Sequence, residues 1–311
     1  MAKTILKKRI RQGLFLLDGA MGTQLIARGI DAGSCSDYLN IASPDTVFEI
    51  HKSYADAGSN AILTNTFGAN SVALARQGHS DKVEKINVTA AQIARRAAGA
   101  GKYVLGDIGP SGDFLEPLGR LKAEELKEAF AQQVKALLAG GVDGFIIETM
   151  TAIEELTVTI EAVKSVGGGL PIFASMAFDR AGAGFRTMMG VDVSSAVSKM
   201  VSLGVDAVGF NCGSVALDEY VKLADEFVFT VKQSGADVVM YGEPNAGRPE
   251  LVDDKAVYRV SPDEFAATAE KIYSAGMKII GGCCGTGPEH IAAMAWRLKK
   301  LQRSRVERGA K

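Results

Sequence analysis

The sequence predicts an α/β fold, a (β/α)8 TIM barrel formed by one domain over residues 1–311. Three observations point there. Short, nearly continuous apolar runs alternate with longer helical stretches, as in parallel strands covered on both faces. The runs number eight, the strand count of a closed barrel. Glycine repeatedly stands between a helix and the strand that follows it, where it accepts the left-handed conformation that ends a helix. A doubly wound open sheet is the main rival.

The predicted strands, in order, are Leu14 to Asp18, Ala61 to Thr64, Tyr103 to Asp107, Gly144 to Glu148, Pro171 to Met176, Ala207 to Phe210, Val238 to Tyr241 and Met277 to Ile280. The helical stretches between them are Pro44 to Ala57, Asp81 to Ala98, Lys122 to Leu138, Ala152 to Val166, Val193 to Leu203, Ala216 to Lys232, Pro262 to Ser274 and Pro288 to Leu301. The first of these starts with Ser43 as cap and Pro44 at the first helical position. Gly58, Gly141, Gly204 and Gly276 follow helix ends. No repeat, low-complexity segment or linker interrupts the pattern. The tail from Gln302 to Lys311 is basic and polar and is expected to fray.

Composition narrows the function. Hydrophobic residues make up 47%, charged residues 23%, and the formal net charge is −1. That balance gives no reason to expect nucleic acid or an anionic membrane as partner. No apolar run approaches the roughly 18 residues of a spanning helix. The basic N-terminus, Met1 to Arg11, is followed by too short an apolar run for a signal peptide, so the expected location is cytoplasmic. Four cysteines in a chain of this length do not form a disulfide framework, and clustering favours metal binding or catalysis. Cys35, in a polar loop-like stretch, reads as an ordinary free thiol.

In a barrel the chemistry gathers where the strands end at their carboxyl side. Asn211-Cys212-Gly213 ends strand six, and Gly281-Gly282-Cys283-Cys284-Gly285 ends strand eight. Three thiols there suggest one soft metal site with an open fourth position. Strands two apart are separated by roughly 10 Å, so curvature and loops must close the gap. Neighbouring residues of a regular strand face opposite ways, and the flanking glycines would let the chain turn both sulfurs inward. The same residues would also suit a tight buried turn. Asp18, Asp107, Glu148 and Glu243 end other strands and suit a substrate ammonium group, or else cap the turns that follow. The loop Gly19-Ala20-Met21-Gly22-Thr23 offers backbone N–H groups for a small anion but lacks the lysine and spacing of a phosphate loop. His290 could complete four metal ligands but reads as a capping or surface residue. His51 and His79 read as ordinary, and Trp296 as packing.

Taken together, these runs resemble the zinc-dependent homocysteine S-methyltransferases. The resemblance is carried by Asp18-Gly19-Ala20-Met21-Gly22-Thr23, Thr64-Asn65-Thr66-Phe67-Gly68-Ala69-Asn70, Gly106-Asp107-Ile108-Gly109-Pro110, Glu148-Thr149, Asn211-Cys212, Glu243-Pro244-Asn245-Ala246-Gly247 and Gly281-Gly282-Cys283-Cys284-Gly285-Thr286. It runs from about Gly13 to Leu301 and is greatest to the N-terminal homocysteine module of cobalamin-dependent methionine synthase. It implies a TIM barrel with zinc on Cys212, Cys283 and Cys284. It also implies homocysteine with its amino group near Glu148 and Asp107, the rest of the amino-acid end on Asp18 and the backbone of Gly19 and Ala20, and Thr66 in the same substrate site. One departure is Gly213, where many relatives carry serine.

The resemblance implies methyl transfer to a thiol held as its anion, yielding methionine. A free alkyl thiol titrates near about 8.5 and is mostly protonated at neutral pH; zinc would remove that proton. The donor implied first is a methylcorrinoid (methylcobalamin or similar) on a separate protein or domain, not bound by this domain alone. S-methylmethionine and betaine follow. The chain is either free-standing or part of a longer protein. From other classes, a zinc hydrolase and a structural-zinc binding module remain. The first is disfavoured by an all-sulfur ligand set, and the second needs a fourth protein ligand.

Overall fold

The computed structural model describes residues 5–31, 33–252 and 255–309. Eight strands form one sheet: β1 Phe15–Leu16, β2 Ala61–Leu63, β3 Tyr103–Ile108, β4 Gly144–Met150, β5 Ile172–Met176, β6 Ala207–Asn211, β7 Val239–Glu243 and β8 Ile279–Ile280. Each lies beside its neighbours in sequence, and the order β1-β8-β7-β6-β5-β4-β3-β2 runs round without reversal. All ladders are parallel. A doubly wound sheet would reverse direction part-way, so the barrel expectation holds.

One backbone and two side-chain hydrogen bonds close the remaining seam, between β1 and β2. Asn60 donates its backbone N–H to the Leu16 carbonyl at 2.6 Å and accepts the Leu16 N–H on its side-chain oxygen at 2.8 Å. One turn higher, the Asp18 carboxylate accepts the Leu63 N–H at 3.0 Å. Because strand side chains alternate between faces, Phe15, Leu17, Tyr103, Leu105, Ile146 and Tyr241 fill the interior. Leu16, Val104 and Ile147 instead join the layer beneath the helices. A short helix, Leu6–Arg9, lays Leu6 against the interior cluster, and Ile10 just after it joins the same cluster.

The outer helices are α1 Pro44–Ala57, α2 Val83–Ala98, α3 Ala123–Gly140, α4 Ile153–Val166, α5 Val193–Ser202, α6 Leu217–Ser234, α7 Pro262–Ala275 and α8 Pro288–Gly309. Gly58 and Gly141 end their helices at φ 113° and 90°, as the sequence suggested. Elements absent from the sequence reading sit in the connections. Met21–Ala27, Leu39–Ala42 and Ser71–Arg76 are short helices, and Asp179–Ala181 with Gly184–Arg186 and Glu250–Val252 with Lys255–Val257 are two-stranded hairpins.

Two local expectations are corrected. Ser43 stands at the start of α1, but its hydroxyl bonds the Thr46 hydroxyl at 2.9 Å and takes no helix N–H. Trp296 is 67% exposed on α8, with Lys300 over its ring, and does not pack. Helix α8 runs on to Gly309, through most of the tail expected to fray, and nothing between Gln302 and Arg308 breaks a helix; Ala310 and Lys311 lie outside the described residues, as do Met1 to Thr4. Among the described residues no helix is long and apolar enough to cross a membrane.

Candidate active site

The site is assembled by turns at the ends of β6, β7 and β8. Strand β6 ends with Asn211 opposite Glu243, and the Cys212 N–H still reaches the Glu243 carbonyl at 3.2 Å. The chain then turns sharply. Cys212 adopts φ 53° and Gly213 φ 84°. A non-glycine residue in this left-handed region is strained and persists only where its surroundings hold it. Here the Tyr220 hydroxyl donates to the Cys212 carbonyl at 2.8 Å, and the Asn245 amide donates to the Gly213 carbonyl at 2.8 Å. The turn swings the Cys212 sulfur towards β8, closing the gap that a flat sheet would leave.

The vicinal pair is pinned from both sides. The Cys283 N–H donates to Pro244 O, and the Ala246 N–H to Cys284 O, both at 2.9 Å. Gly282 N–H reaches Asp18 O at 2.9 Å, tying the turn to β1. Gly285, at φ 80°, turns the chain away; a Cβ there would lie 2.2 Å from the Tyr258 ring. Both sulfurs thereby face the same side as Cys212. The three Sγ atoms lie within 4.8 Å of one another, and Cys212 and Cys284 are 3.9 Å apart. A tetrahedral ion with metal–sulfur bonds of about 2.3 Å needs sulfurs about 3.8 Å apart, so the cluster can hold one metal ion. The thiols also bond one another. Cys212 and Cys283 donating to Cys284 pull it down to about 3, whereas Cys283 is pushed up by its neighbouring thiols and burial. The Asn211 amide adds a long contact to Cys283 Sγ at 3.8 Å.

His290 does not join the cluster. Its Nδ1 accepts the Gly287 N–H at 3.1 Å, and Nε2, which must then carry the proton, donates to Val260 O at 2.9 Å. It caps the start of α8, as the sequence suggested. Among the described residues, the three cysteines form the one group found suited to a metal. Cys35 lies apart, half-buried beside Tyr38 and Ile41.

Beside the sulfurs lies a cavity of about 290 Å³. Asp18, Asp107, Glu148 and Glu243 all border it. Burial is the largest cause raising each carboxyl, and crowding by the others adds to it. Glu148 is pushed up to about 7, first by burial and then by Cys212, with a hydrogen bond from Asp107 acting the other way. Asp107 Oδ1 and Glu243 Oε2 are buried without a hydrogen-bond partner among the described residues. Four crowded carboxyls, two of them with an unpartnered oxygen, and no bordering lysine or arginine make a cavity whose chemistry suits a cation.

The substrate residues expected from the resemblance divide. Asp18, Gly19, Ala20, Asp107 and Glu148 all reach the cavity. Ala20, however, already directs its N–H to Thr286, at 3.3 Å from both the carbonyl and the hydroxyl. Thr66 does not border the cavity. The chain folds back after β2, and the Thr66 hydroxyl donates to Asp107 O at 2.7 Å, beneath the wall that Thr64 provides. The sequence reading took His51 as ordinary and gave Thr149, beside Glu148, no role of its own. Thr149 sits at φ 60°, held by Asn211, which accepts its N–H at 2.7 Å and donates to its hydroxyl at 2.6 Å. His51 lies in the buried stripe Val47, Ile50, His51, Tyr54 of α1, and a polar residue at a core position was the signal available.

Comparison with known proteins agrees with this geometry. The family model described as homocysteine S-methyltransferase matches residues 15–298. The chain belongs to the homocysteine S-methyltransferase family. The methionine synthase of Mycobacterium tuberculosis is 32% identical over 96% of this chain, and that of Mycobacterium leprae 31% identical over 98%. The chain spans only about a quarter of each, 25% and 26%. Among solved structures, the metallated form of the homocysteine methyltransferase MmuM from Escherichia coli superposes with a TM-score of 0.76, covering 94% of this chain and 99% of that one. At 23% identity that likeness speaks to the fold.

Proposed function

We propose that this barrel transfers a methyl group to the sulfur of homocysteine, giving methionine, with zinc held by Cys212, Cys283 and Cys284. The observation that carries the reading is the triangle of sulfurs, spaced for one tetrahedral ion and opening on an acidic cavity. Three thiolate ligands would suit zinc and would leave it able to take up a substrate sulfur. Zinc bound there would supply a Lewis acid that draws the proton from an incoming thiol and keeps the sulfur anionic.

The protein's own groups do the rest. Glu148 and Asp107 hold the substrate ammonium, which fixes the thiol end beside the cysteines. Asn211 ties that carboxylate to the cluster, donating to Glu148 at 3.3 Å and contacting Cys283. Phe67, 39% exposed, stands at the mouth, where it shields the sulfur from water. The sulfur lone pair forms the new S–C bond, and the pair of the broken bond leaves with the donor. Holding both reactants in line supplies much of the acceleration.

The donor we favour is a methylcorrinoid on a separate protein or domain. Support comes from the similarity to methionine synthases about four times longer than the matched region, which leaves room for a donor-carrying module. The test supplies purified zinc-loaded protein with homocysteine and, in turn, methylcobalamin, S-methylmethionine and betaine. Methionine should form with methylcobalamin and not in Cys283→Ala, which should also lose its zinc. Turnover with the sulfonium alone would overturn the donor assignment. Full activity of metal-free protein would overturn the role of zinc.

A further inference from the structure

Helix α1 turns two side chains towards the cavity, His51 and Tyr54, at positions i and i+3 of one face. Tyr54 has its partners: its hydroxyl lies 3.0 Å from Ala20 O and 2.9 Å from Thr286 O. His51 does not. It is 1% exposed, and neither ring nitrogen has a hydrogen-bond partner among the described residues. Unpaired buried polar groups are costly and uncommon, and the usual explanation is a role or a ligand. Burial also lowers the imidazole pKa to about 3, so the ring is neutral, with one N–H donor and one acceptor nitrogen.

The polarity of the cavity explains what is missing. Its four carboxyls match the ammonium of an amino acid and repel its carboxylate, and no lysine or arginine borders the space. The side-chain amide and one of the hydroxyls nearby are committed. The Asn65 amide bonds Ser36 O at 2.7 Å, and the Thr64 hydroxyl is taken up by Thr66 and the Asp107 N–H. A cationic donor would pair with the acidic groups and compete with the ammonium. A neutral N–H avoids that competition.

We propose that His51 is a substrate-binding residue whose ring N–H donates to the α-carboxylate of the bound amino acid. The proposal rests on the homocysteine reading and deepens it. It makes His51, beside the backbone of Gly19, a group that separates amino-acid thiols from simple aminothiols, at the end of the substrate remote from the sulfur.

The test is calorimetric titration of the zinc-loaded protein with two ligands. One is homocysteine; the other is 3-aminopropane-1-thiol, which keeps the thiol and amine and lacks the carboxylate. A hydrogen bond to a charged group is worth about 10- to 100-fold in affinity. His51→Phe should weaken homocysteine by that factor and leave the aminothiol within about twofold. His51→Gln, which keeps an N–H, should recover most of the loss. His51→Leu gives the same readout if the phenyl ring prevents folding. Unchanged homocysteine affinity in the variants, or an equal loss for both ligands, would overturn the assignment. Failure of the wild-type protein to bind homocysteine would instead overturn the functional reading beneath it.

Discussion

At Cys212 the backbone takes φ 53°, and Gly213 follows at 84°. The sequence showed Gly213 as a departure from relatives that carry serine there, without a reason. The reason is steric. A Cβ on Gly213 would lie 2.1 Å from the Phe178 carbonyl oxygen, and that backbone cannot yield easily. Gly213→Ser should therefore destabilise the protein by about 2 kcal/mol or more and reduce zinc retention, read by thermal denaturation and metal analysis. Retention at wild-type level would show that the turn does not position Cys212. The residue scale also carries a pH dependence. If Glu148 holds the ammonium as proposed, binding needs it ionised, and its carboxyl is raised to about 7. Methionine, which has no thiol proton to lose, should bind about tenfold more weakly for each pH unit below that value. The slope should flatten in Glu148→Gln; an unchanged slope would assign the titration elsewhere. The cysteines and acidic strand ends were legible in sequence because chemistry-bearing residues stood where apolar runs stop. Thr149 was not, since a left-handed φ exists only in three dimensions, and His51 showed only as a polar residue at a core position, its lack of a partner being visible in the fold alone.

Among the elements, the strands were read to within a few residues, because a parallel strand buried on both faces writes a continuous apolar run. The short helices and hairpins of the connections were missed. Their residues have no long periodic face, and their ordering depends on contacts with distant turns. Gly285 N–H, for example, donates to the Thr23 hydroxyl at 2.9 Å from the start of Met21–Ala27. The seam between β1 and β2 was equally illegible, for Asn60 looks like a turn residue before a strand. Asn60→Ala would leave the Leu16 N–H unpaired and should cost about 1–3 kcal/mol in denaturant unfolding. A neutral effect would mean that the barrel closes without this side chain.

Across the whole molecule, the barrel brings residues far apart in sequence to one mouth. Asp18 opens the chain's first turn, Cys284 its last, and the hydrogen bond from Gly282 to Asp18 O joins them. The number and order of apolar runs foretold that closure, but the sulfur spacing could not be read from spacing in sequence. It depends on the left-handed turn after β6 and on the anchoring of the vicinal pair to β7. The central claim is that these sulfurs hold a metal whose remaining position receives the substrate sulfur. X-ray absorption at the zinc edge tests it most directly. The account predicts three zinc–sulfur bonds of about 2.3 Å in the resting protein and four once homocysteine is added. A sulfur count that stays the same on adding homocysteine would contradict it.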